Sequence, residues 1–252
     1  GGGDTWRLNR ACSRSRVTFS SSWCAVMSAI AHQCFNTEYV FDETPEERAK
    51  VERLLGPRSP LHAYVAYAAY RPLNGEVPHE LASLARRQIA EPQEELRLAA
   101  GLASLSDERS KVSAAVRAQY EENPYPRWVR MQSVFSKEPF PYASADTSSA
   151  KPRILVAGCG TGQNAIATAQ RFAGASVLAV NLSRASLGYA RRKTLELGLK
   201  NIEYLHGDIL SLAQLDERFD LIECSGVLHH LEDPRRGLEN LCRHLARTSV
   251  SP

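Results

Sequence analysis

The sequence has little that would support a metal site, a disulfide framework or a membrane span. Its 252 residues include six cysteines, but no two of them form a Cys-x-x-Cys pair. Such scattered cysteines are typical neither of a zinc site nor of a dense disulfide framework, so we expect reduced thiols. The apolar patch at 23–31 is too short to cross a bilayer. These absences predict a soluble, cytoplasmic protein that does not act at a membrane.

Neither positive nor negative charge predominates in the sequence. The formal net charge is +3 and the isoelectric point is near 8.6, and basic and acidic residues are mixed through most of the chain. No basic tract requires nucleic acid as a partner. With 43% hydrophobic residues, the chain can still bury the core of one large or two modest domains.

The first 21 residues begin with three glycines and lack an initiating methionine. Four arginines precede the apolar patch, an order that signal and transit peptides also have, but no cleavage signal follows. We interpret 1–21 as a leader of uncertain origin and favour an incomplete or artificial start over a targeting signal.

The region 22–122 is predicted to be all-α, with several short helices. Proline cannot continue the interior of a helix, which predicts breaks at Gly56-Pro57, Arg71-Pro72, Val77-Pro78 and Glu91-Pro92. Tyr64, Tyr67 and Tyr70 recur every three residues, and we interpret them as helix packing, with a ligand wall as the alternative. No repeat of about 34 residues is visible.

A second region, 152–252, alternates short apolar runs with amphipathic stretches, which is typical of a parallel sheet covered by helices. We predict strands at 153–157, 176–180, 202–205 and 221–224, and helices at 163–172, 184–197, 212–215 and 235–246. The intervening 123–151 is largely rich in serine, proline and alanine, which predicts a linker or flap.

Three glycines follow the first predicted strand and open the next helix. They are Gly158, Gly160 and Gly162, with Cys159 between the first two. Missing side chains let the backbone turn tightly and let a ligand approach closely. A dinucleotide fingerprint would have its third glycine at position 163, where this chain has Gln163. The GxGxG spacing therefore argues against NAD and toward S-adenosylmethionine.

The ends of the next two strands supply further candidates. Asn181, with Leu182 beside it, lies about twenty residues after the loop, where such folds hold the ribose hydroxyls. A strand-end turn residue is the alternative for Asn181. After the third strand, Asp208 can accept a hydrogen bond from an adenine amino group and Ile209 can cover the ring, with a plain turn as the alternative.

Two adjacent histidines, His229 and His230, follow the fourth strand at the carboxyl edge of the sheet, where ligands bind in open α/β folds. Neighbours in a chain seldom point at the same atom, and no further ligand is suitably spaced, so we predict no metal. A pocket-lining histidine and a structural histidine both remain open. These two are the local candidates for a catalytic base, if the reaction needs one.

Together these segments resemble class I S-adenosylmethionine-dependent methyltransferases over about 152–246. The resemblance is carried by the runs ILVAGCGTG at 154–162, Gly207-Asp208 and VLHHLEDP at 227–234. The runs QCFNTEYVF at 33–41 and QYEENPYPRW at 119–128 further resemble bacterial methyltransferases that often carry tetratricopeptide repeats upstream.

The resemblance implies a Rossmann-like α/β sheet with S-adenosyl-L-methionine as cofactor. It assigns Gly158, Gly160 and Gly162 to the methionine portion, Asn181 to the ribose, and Asp208 with Ile209 to the adenine. It assigns no acceptor. Val156 and Asn181 stand where many members have acidic residues, which predicts weaker cofactor binding. The family sheet has seven strands and only four are predicted here, so we expect a truncated sheet.

The QYEENPYPRW segment lies just ahead of the sheet, where a flap closes over a cofactor in some enzymes. Our hypothesis is a contact with cofactor or acceptor from Tyr120, Asn123, Arg127 or Trp128. The alternative is that its prolines and Trp128 dock the helical half onto the sheet.

Three classes of function follow from these observations. The favoured one is a methyltransferase that acts on a small molecule or a protein. The second is a non-catalytic module that binds the cofactor or a protein partner, which an unfinished sheet would favour. The third, an NAD(P)-dependent oxidoreductase, is disfavoured by Gln163.

Overall fold

The computed structural model describes residues 21–105, 120–121, 124–131 and 151–246. Helices dominate the first of these ranges, and a parallel sheet flanked by helices occupies the last. In the ranges described, none of the helices is long and apolar enough to cross a membrane.

The helical half contains α1 (Ser21–Asn36), α2 (Pro45–Val51), α3 (Leu61–Ala68), α4 (Ala82–Ala85) and α5 (Glu91–Ala100). A 3-10 turn (His79–Leu81) precedes α4. The start of α2 follows from its sequence, because Thr44 and Glu47 form a capping box. The three tyrosines at 64, 67 and 70 pack against the apolar core of this half, as the packing interpretation predicts.

The predicted break at Glu91-Pro92 is wrong, whereas the other three prolines do lie between helices. The chain stays helical from Ala82 to Ala100, with a π turn (Arg86–Ala90) directly before α5. In this turn the Glu91 N–H donates to the Arg86 carbonyl, one residue further back than in an α-helix. The wider turn accommodates a proline that lacks an N–H of its own.

The sheet contains β1 (Ala103–Ser104), β2 (Arg153–Ala157), β3 (Ser176–Asn181), β4 (Ile202–His206) and β5 (Leu221–Cys224). Their order is β1-β4-β3-β2-β5, and each neighbouring pair is parallel. Ile154 and Leu155 are fully buried, as expected for a parallel sheet with both faces covered. The four predicted strands are confirmed within one residue at each end.

Strand β1 corrects the expectation that 22–122 is all-α. Its two residues pair with the end of β4, Ala103 opposite Leu205 and Ser104 opposite His206. The helical half therefore contributes one strand to the sheet. Two residues are too few to show a hydrophobic period, so the sequence carries no local signal for β1.

Helices α6 (Gln163–Arg171), α7 (Arg184–Glu196) and α8 (Pro234–Arg243) accompany the sheet. The predicted helix at 212–215 is instead a 3-10 helix that spans Ile209–Gln214, and a second 3-10 turn spans Leu228–His230. Ser183 starts α7, because its hydroxyl accepts a hydrogen bond from the Ser186 N–H.

The two halves meet where α5 crosses α7. Gly188 of α7 lies at this crossing, since a Cβ there would stand 2.3 Å from the Glu95 carbonyl oxygen and 3.1 Å from the Ala99 Cβ. Ion pairs surround the contact: Arg192 lies 2.9 Å from one oxygen of Glu95, and Arg127 lies 3.0 Å from the other. The absence of a side chain at Gly188 permits this close backbone approach.

We expect Gly188→Ala to lower the free energy of unfolding by about 2 kcal/mol, since the added methyl overlaps backbone atoms of α5. Urea unfolding of the full chain measures this. Gly174→Ala is the matched control, because a Cβ there meets nothing within 4 Å, and its stability should match the wild type. Equal stability of both variants would contradict the close crossing.

Candidate functional site

A cavity opens at the carboxyl edge of the sheet, where the segments that follow β2, β3, β4 and β5 converge. Its walls are Tyr120, Tyr125, Gly158, Gly160, Asn181, Leu182, Ser183, Gly207, Asp208, Ile209, Ser225, Gly226, Val227, His230 and Leu231. This edge is where open α/β sheets bind their ligands. Six of the eight residues predicted to bind a cofactor line this cavity, and Cys159 and Gly162 do not.

The three loop glycines all have positive φ, at 75°, 53° and 84° for Gly158, Gly160 and Gly162. At two of these glycines, the missing side chain also makes room for neighbouring side chains of the protein. A Cβ on Gly158 would stand 2.2 Å from a Val227 methyl, and a Cβ on Gly162 would stand 2.5 Å from the Ala190 Cβ. A Cβ on Gly160 would meet no protein atom within 4 Å. The space left open at Gly160 therefore belongs to the cavity.

Backbone hydrogen bonds fix the start of the loop. The N–H groups of Gly158 and Cys159 both donate to the Val180 carbonyl, at 2.8 and 3.1 Å. The Cys159 side chain is buried among core residues, and this burial raises the pKa of its thiol to about 12. Cys159 therefore supports the loop and presents no reactive thiolate to the cavity.

Asn181 joins the glycine loop to the end of β3. Its side-chain oxygen accepts a hydrogen bond from the Gly160 N–H at 3.2 Å, and its amide group lies 3.5 Å from the Ser183 carbonyl oxygen. A neutral amide thus holds the loop at the end of β3. Asn181 is half-buried and faces the same cavity as Gly160.

Asp208 is the buried carboxylate of the cavity, with only 3% of its surface exposed. One side-chain oxygen accepts a hydrogen bond from the Leu210 N–H at 2.9 Å and so caps the 3-10 helix that follows. The other oxygen is buried and has no hydrogen-bond partner among the residues that the structure describes. A buried carboxylate oxygen without a partner is costly, so it calls for a donor from a ligand.

The two histidines have different positions. His230 lines the cavity, whereas His229 does not, although their ring centroids are only 4.0 Å apart. In the described ranges, no group of three or more His, Cys, Asp or Glu side chains is arranged to hold a metal ion. His230 is therefore the histidine that a bound ligand can reach.

The QYEENPYPRW segment supplies one wall of the cavity through Tyr120 and Tyr125. Trp128 instead is buried, and its indole N–H donates to the Thr161 carbonyl at 3.1 Å. Arg127 bridges Glu38 and Glu95 away from the cavity. In this structure Arg127 and Trp128 thus dock the segment onto the two halves. The fourth residue of the hypothesis, at position 123, lies outside the described residues.

Sequence reasoning missed several residues of the site. Glu121 is one of them: its carboxylate accepts from the N–H groups of Arg184 and Ala185, at 2.7 and 2.9 Å, and so caps α7 beside the cavity. In the sequence, the only indication that Glu121 belongs to the site is its place in the run QYEENPYPRW. Sequence reasoning assigned no individual role to the other wall residues, although they belong to the runs that carry the resemblance, adjoin predicted residues or follow β5. They are Tyr125, Ser183, Gly207, Ser225, Gly226, Val227 and Leu231.

Comparison with known proteins relates the sheet region to one family. Residues 154–248 match the family model described as a methyltransferase domain. The matched segment is therefore similar to methyltransferase domains, and it includes four of the five strands of the Rossmann-like parallel sheet.

Individual relatives are similar over part of their length. An uncharacterised protein of Synechococcus is 41% identical over 97 residues, which are 38% of this chain and 23% of that protein. The demethylmenaquinone methyltransferase of Clavibacter sepedonicus is 32% identical over 140 residues, 54% of this chain and 56% of that protein. The chain therefore spans from about a quarter to about half the length of these curated relatives.

Among solved structures, magnesium protoporphyrin IX methyltransferase from Synechocystis PCC 6803 with bound SAM is similar at 24% identity. The similarity covers 56% of this chain and 76% of that chain, with a TM-score of 0.40.

Two observations show that the residues of the cavity fit S-adenosylmethionine. The unpartnered oxygen of Asp208 offers an acceptor for an amino group, and Ile209 beside it offers an apolar surface. At the other end, the open space at Gly160 lets a ligand approach the backbone. One cavity thus contains a hydrogen-bond acceptor at Asp208 and open space beside the backbone at Gly160.

Proposed function

We propose that this protein is a methyltransferase that transfers a methyl group from S-adenosylmethionine to an acceptor. The observation that carries the proposal is the buried, unpartnered oxygen of Asp208, a residue that lines the same cavity as the glycine loop. The finer assignment we propose, to methyltransferases associated with tetratricopeptide repeats, is supported by the QYEENPYPRW motif, whose two tyrosines line that cavity.

We assign one part of the cofactor to each wall. Asp208 accepts from the adenine amino group while Ile209 covers the ring, and Asn181 with Leu182 borders the ribose. The glycine loop borders the methionine portion, with Gly158 and Gly160 at the cavity and Gly162 held against α7. Asn181 keeps its oxygen on the loop, so its amide group is the donor left for a ribose oxygen.

The bound cofactor supplies a methyl group already activated by its sulfonium. The protein therefore has only to align the acceptor with that methyl and to exclude water. Tyr120 and Tyr125 are placed to cover the cavity, and the acceptor, a small molecule or a protein side chain, enters beside them. Where the acceptor must lose a proton, His230 is the base within reach, and His229 is the weaker candidate.

We also propose a cytoplasmic location and no nucleic-acid or membrane partner. The support is the mild net charge of +3 and cysteines without zinc or disulfide spacing.

Calorimetry with S-adenosylhomocysteine and NAD in parallel tests the proposal. We expect S-adenosylhomocysteine to bind with a Kd in the micromolar range, about −8 kcal/mol, and NAD not to bind, since Gln163 replaces the third glycine of the dinucleotide fingerprint. Binding of NAD alone would point to an oxidoreductase. Failure of both ligands to bind would refute cofactor binding and leave a scaffold role.

A further inference from the structure

His206 links the helical half to the cavity. It is the last residue of β4 and only 7% of it is exposed. Its Nδ1 lies 2.6 Å from the Ser104 hydroxyl of β1, and its Nε2 lies 2.9 Å from the Leu182 carbonyl oxygen. A carbonyl oxygen can only accept, so Nε2 carries a hydrogen and, in the neutral ring, Nδ1 accepts from the Ser104 hydroxyl.

The Leu182 carbonyl is well placed to influence the cofactor cavity. Leu182 and Asn181 both line that cavity, and the Asn181 side chain holds the Gly160 N–H of the glycine loop. The peptide that follows Leu182 leads directly into Ser183, which caps α7. The direction of the Leu182 carbonyl therefore sets the path of the chain that borders the ribose site.

Leu105, which follows β1, also holds β1 against the end of β4. The Leu105 N–H donates to the His206 carbonyl at 2.9 Å. Leu105 also lies over Gly207, where a Cβ would stand 2.9 Å from a Leu105 methyl. The chain at 103–105 is thus pressed against the end of β4, directly beside Asp208.

We propose that His206 is a positioning residue for cofactor binding, which couples β1 through Ser104 to the Leu182 carbonyl. The inference rests on the proposed function. The helical half then does more than cover the sheet, because the placement of β1 sets the affinity of the cavity for the cofactor. His206 itself touches Ser104 and Leu182, neither of which reacts, so its role is to orient and not to catalyse.

Two substitutions separate the two hydrogen bonds. His206→Gln puts an amide near the position of Nε2 and can keep the Leu182 contact, whereas His206→Asn puts one near Nδ1 and can keep only the Ser104 contact. Each variant loses one hydrogen bond, so we expect similar drops in Tm. We expect the Kd for S-adenosylhomocysteine to rise about five- to tenfold in His206→Asn, which loses the Leu182 contact. We expect a rise of only about two- to threefold in His206→Gln, which loses the link to Ser104 alone.

Two further variants complete the experiment. Ser104→Ala removes only the hydroxyl from β1 and should raise the Kd about two- to threefold. His244→Gln is the control, because His244 is also buried and its Nδ1 is hydrogen-bonded to the Glu217 carbonyl, but it does not line the cavity. Glutamine puts its amide near the position of Nε2 and so loses that hydrogen bond. This control should lower Tm and leave the Kd unchanged.

The outcomes distinguish this inference from the proposed function. If the wild type binds S-adenosylhomocysteine but His206→Asn and His206→Gln bind it equally well, the positioning role is refuted and the proposed function stands. If His206→Asn does not fold, an unchanged Kd in Ser104→Ala refutes the coupling to β1. If the wild type does not bind S-adenosylhomocysteine, both the function and this inference fail.

Discussion

Replacing Arg192 with methionine should lower the free energy of unfolding by about 3 kcal/mol, because it breaks a buried ion-pair cluster. Arg192 is 5% exposed, and its guanidinium lies 2.9 Å from a Glu95 oxygen and 3.2 Å from a Glu91 oxygen. Methionine leaves both carboxylates buried without this partner. Arg87 and Arg127 also reach them, which keeps the loss at the low end of the usual range.

The loss should be present throughout the physiological pH range. Burial lowers the pKa of Arg192, but the carboxylates of Glu91 and Glu95 outweigh it, and the net pKa is raised. A group with a raised pKa contributes its full stabilisation below its ordinary pKa and loses it only as the pH rises through the raised value. Arg192 therefore stabilises the α5–α7 contact fully near pH 7.

Urea unfolding of the full chain measures the effect, with Arg235→Met as the matched control. Arg235 also pairs with a glutamate, Glu239, at 3.2 Å, but 89% of its side chain is exposed, so its loss should cost no more than about 0.5 kcal/mol. Adding Glu95→Gln to Arg192→Met should recover part of the loss, since it removes a stranded charge. A loss in Arg192→Met no larger than in the control would refute a stabilising cluster.

A strand of the sheet could be predicted where neighbouring residues in the sequence indicate it. After Arg153, the run that forms β2 is apolar up to Ala157, and Gly158 follows it. Adjacent residues therefore indicate both the length and the end of this strand. Strand β1 has no such signal, because Ala103 and Ser104 become a strand only by pairing with β4, about a hundred residues away along the chain. The π turn before Pro92 is similar, since packing of α5 against α7 overrides the local tendency to break.

The residues of the candidate site could likewise be predicted where they lie at the ends of predicted strands. Asn181 ends β3 and Asp208 is the second residue after β4. Since the carboxyl ends of parallel strands meet at one edge, their convergence follows from topology. Gly162 shows the limit: a Cβ there would stand 2.5 Å from the Ala190 Cβ, and no local pattern predicts this approach of α7. Glu121 caps α7 from about sixty residues away, a contact that only the folded chain creates.

Replacing Asp208 with asparagine should separate cofactor affinity from stability. The side-chain oxygen that caps the 3-10 helix is retained, because asparagine caps as well as aspartate. The unpartnered oxygen becomes an amide that donates, so it can no longer accept from the adenine amino group. We expect the Kd for S-adenosylhomocysteine to rise about 30- to 100-fold, the usual cost of losing a charged hydrogen bond in a buried site.

The unliganded protein should not be weakened by the same change. Asp208→Asn removes a buried charge whose second oxygen has no partner, so the free energy of unfolding should stay constant or rise by up to about 1 kcal/mol. Asp233→Asn is the matched control: Asp233 also caps a helix, through the Arg236 N–H at 3.0 Å, but it is exposed and outside the cavity. It should alter neither quantity. Wild-type affinity in Asp208→Asn would show that adenine is not held there, whereas a large loss of stability would show that Asp208 serves the fold.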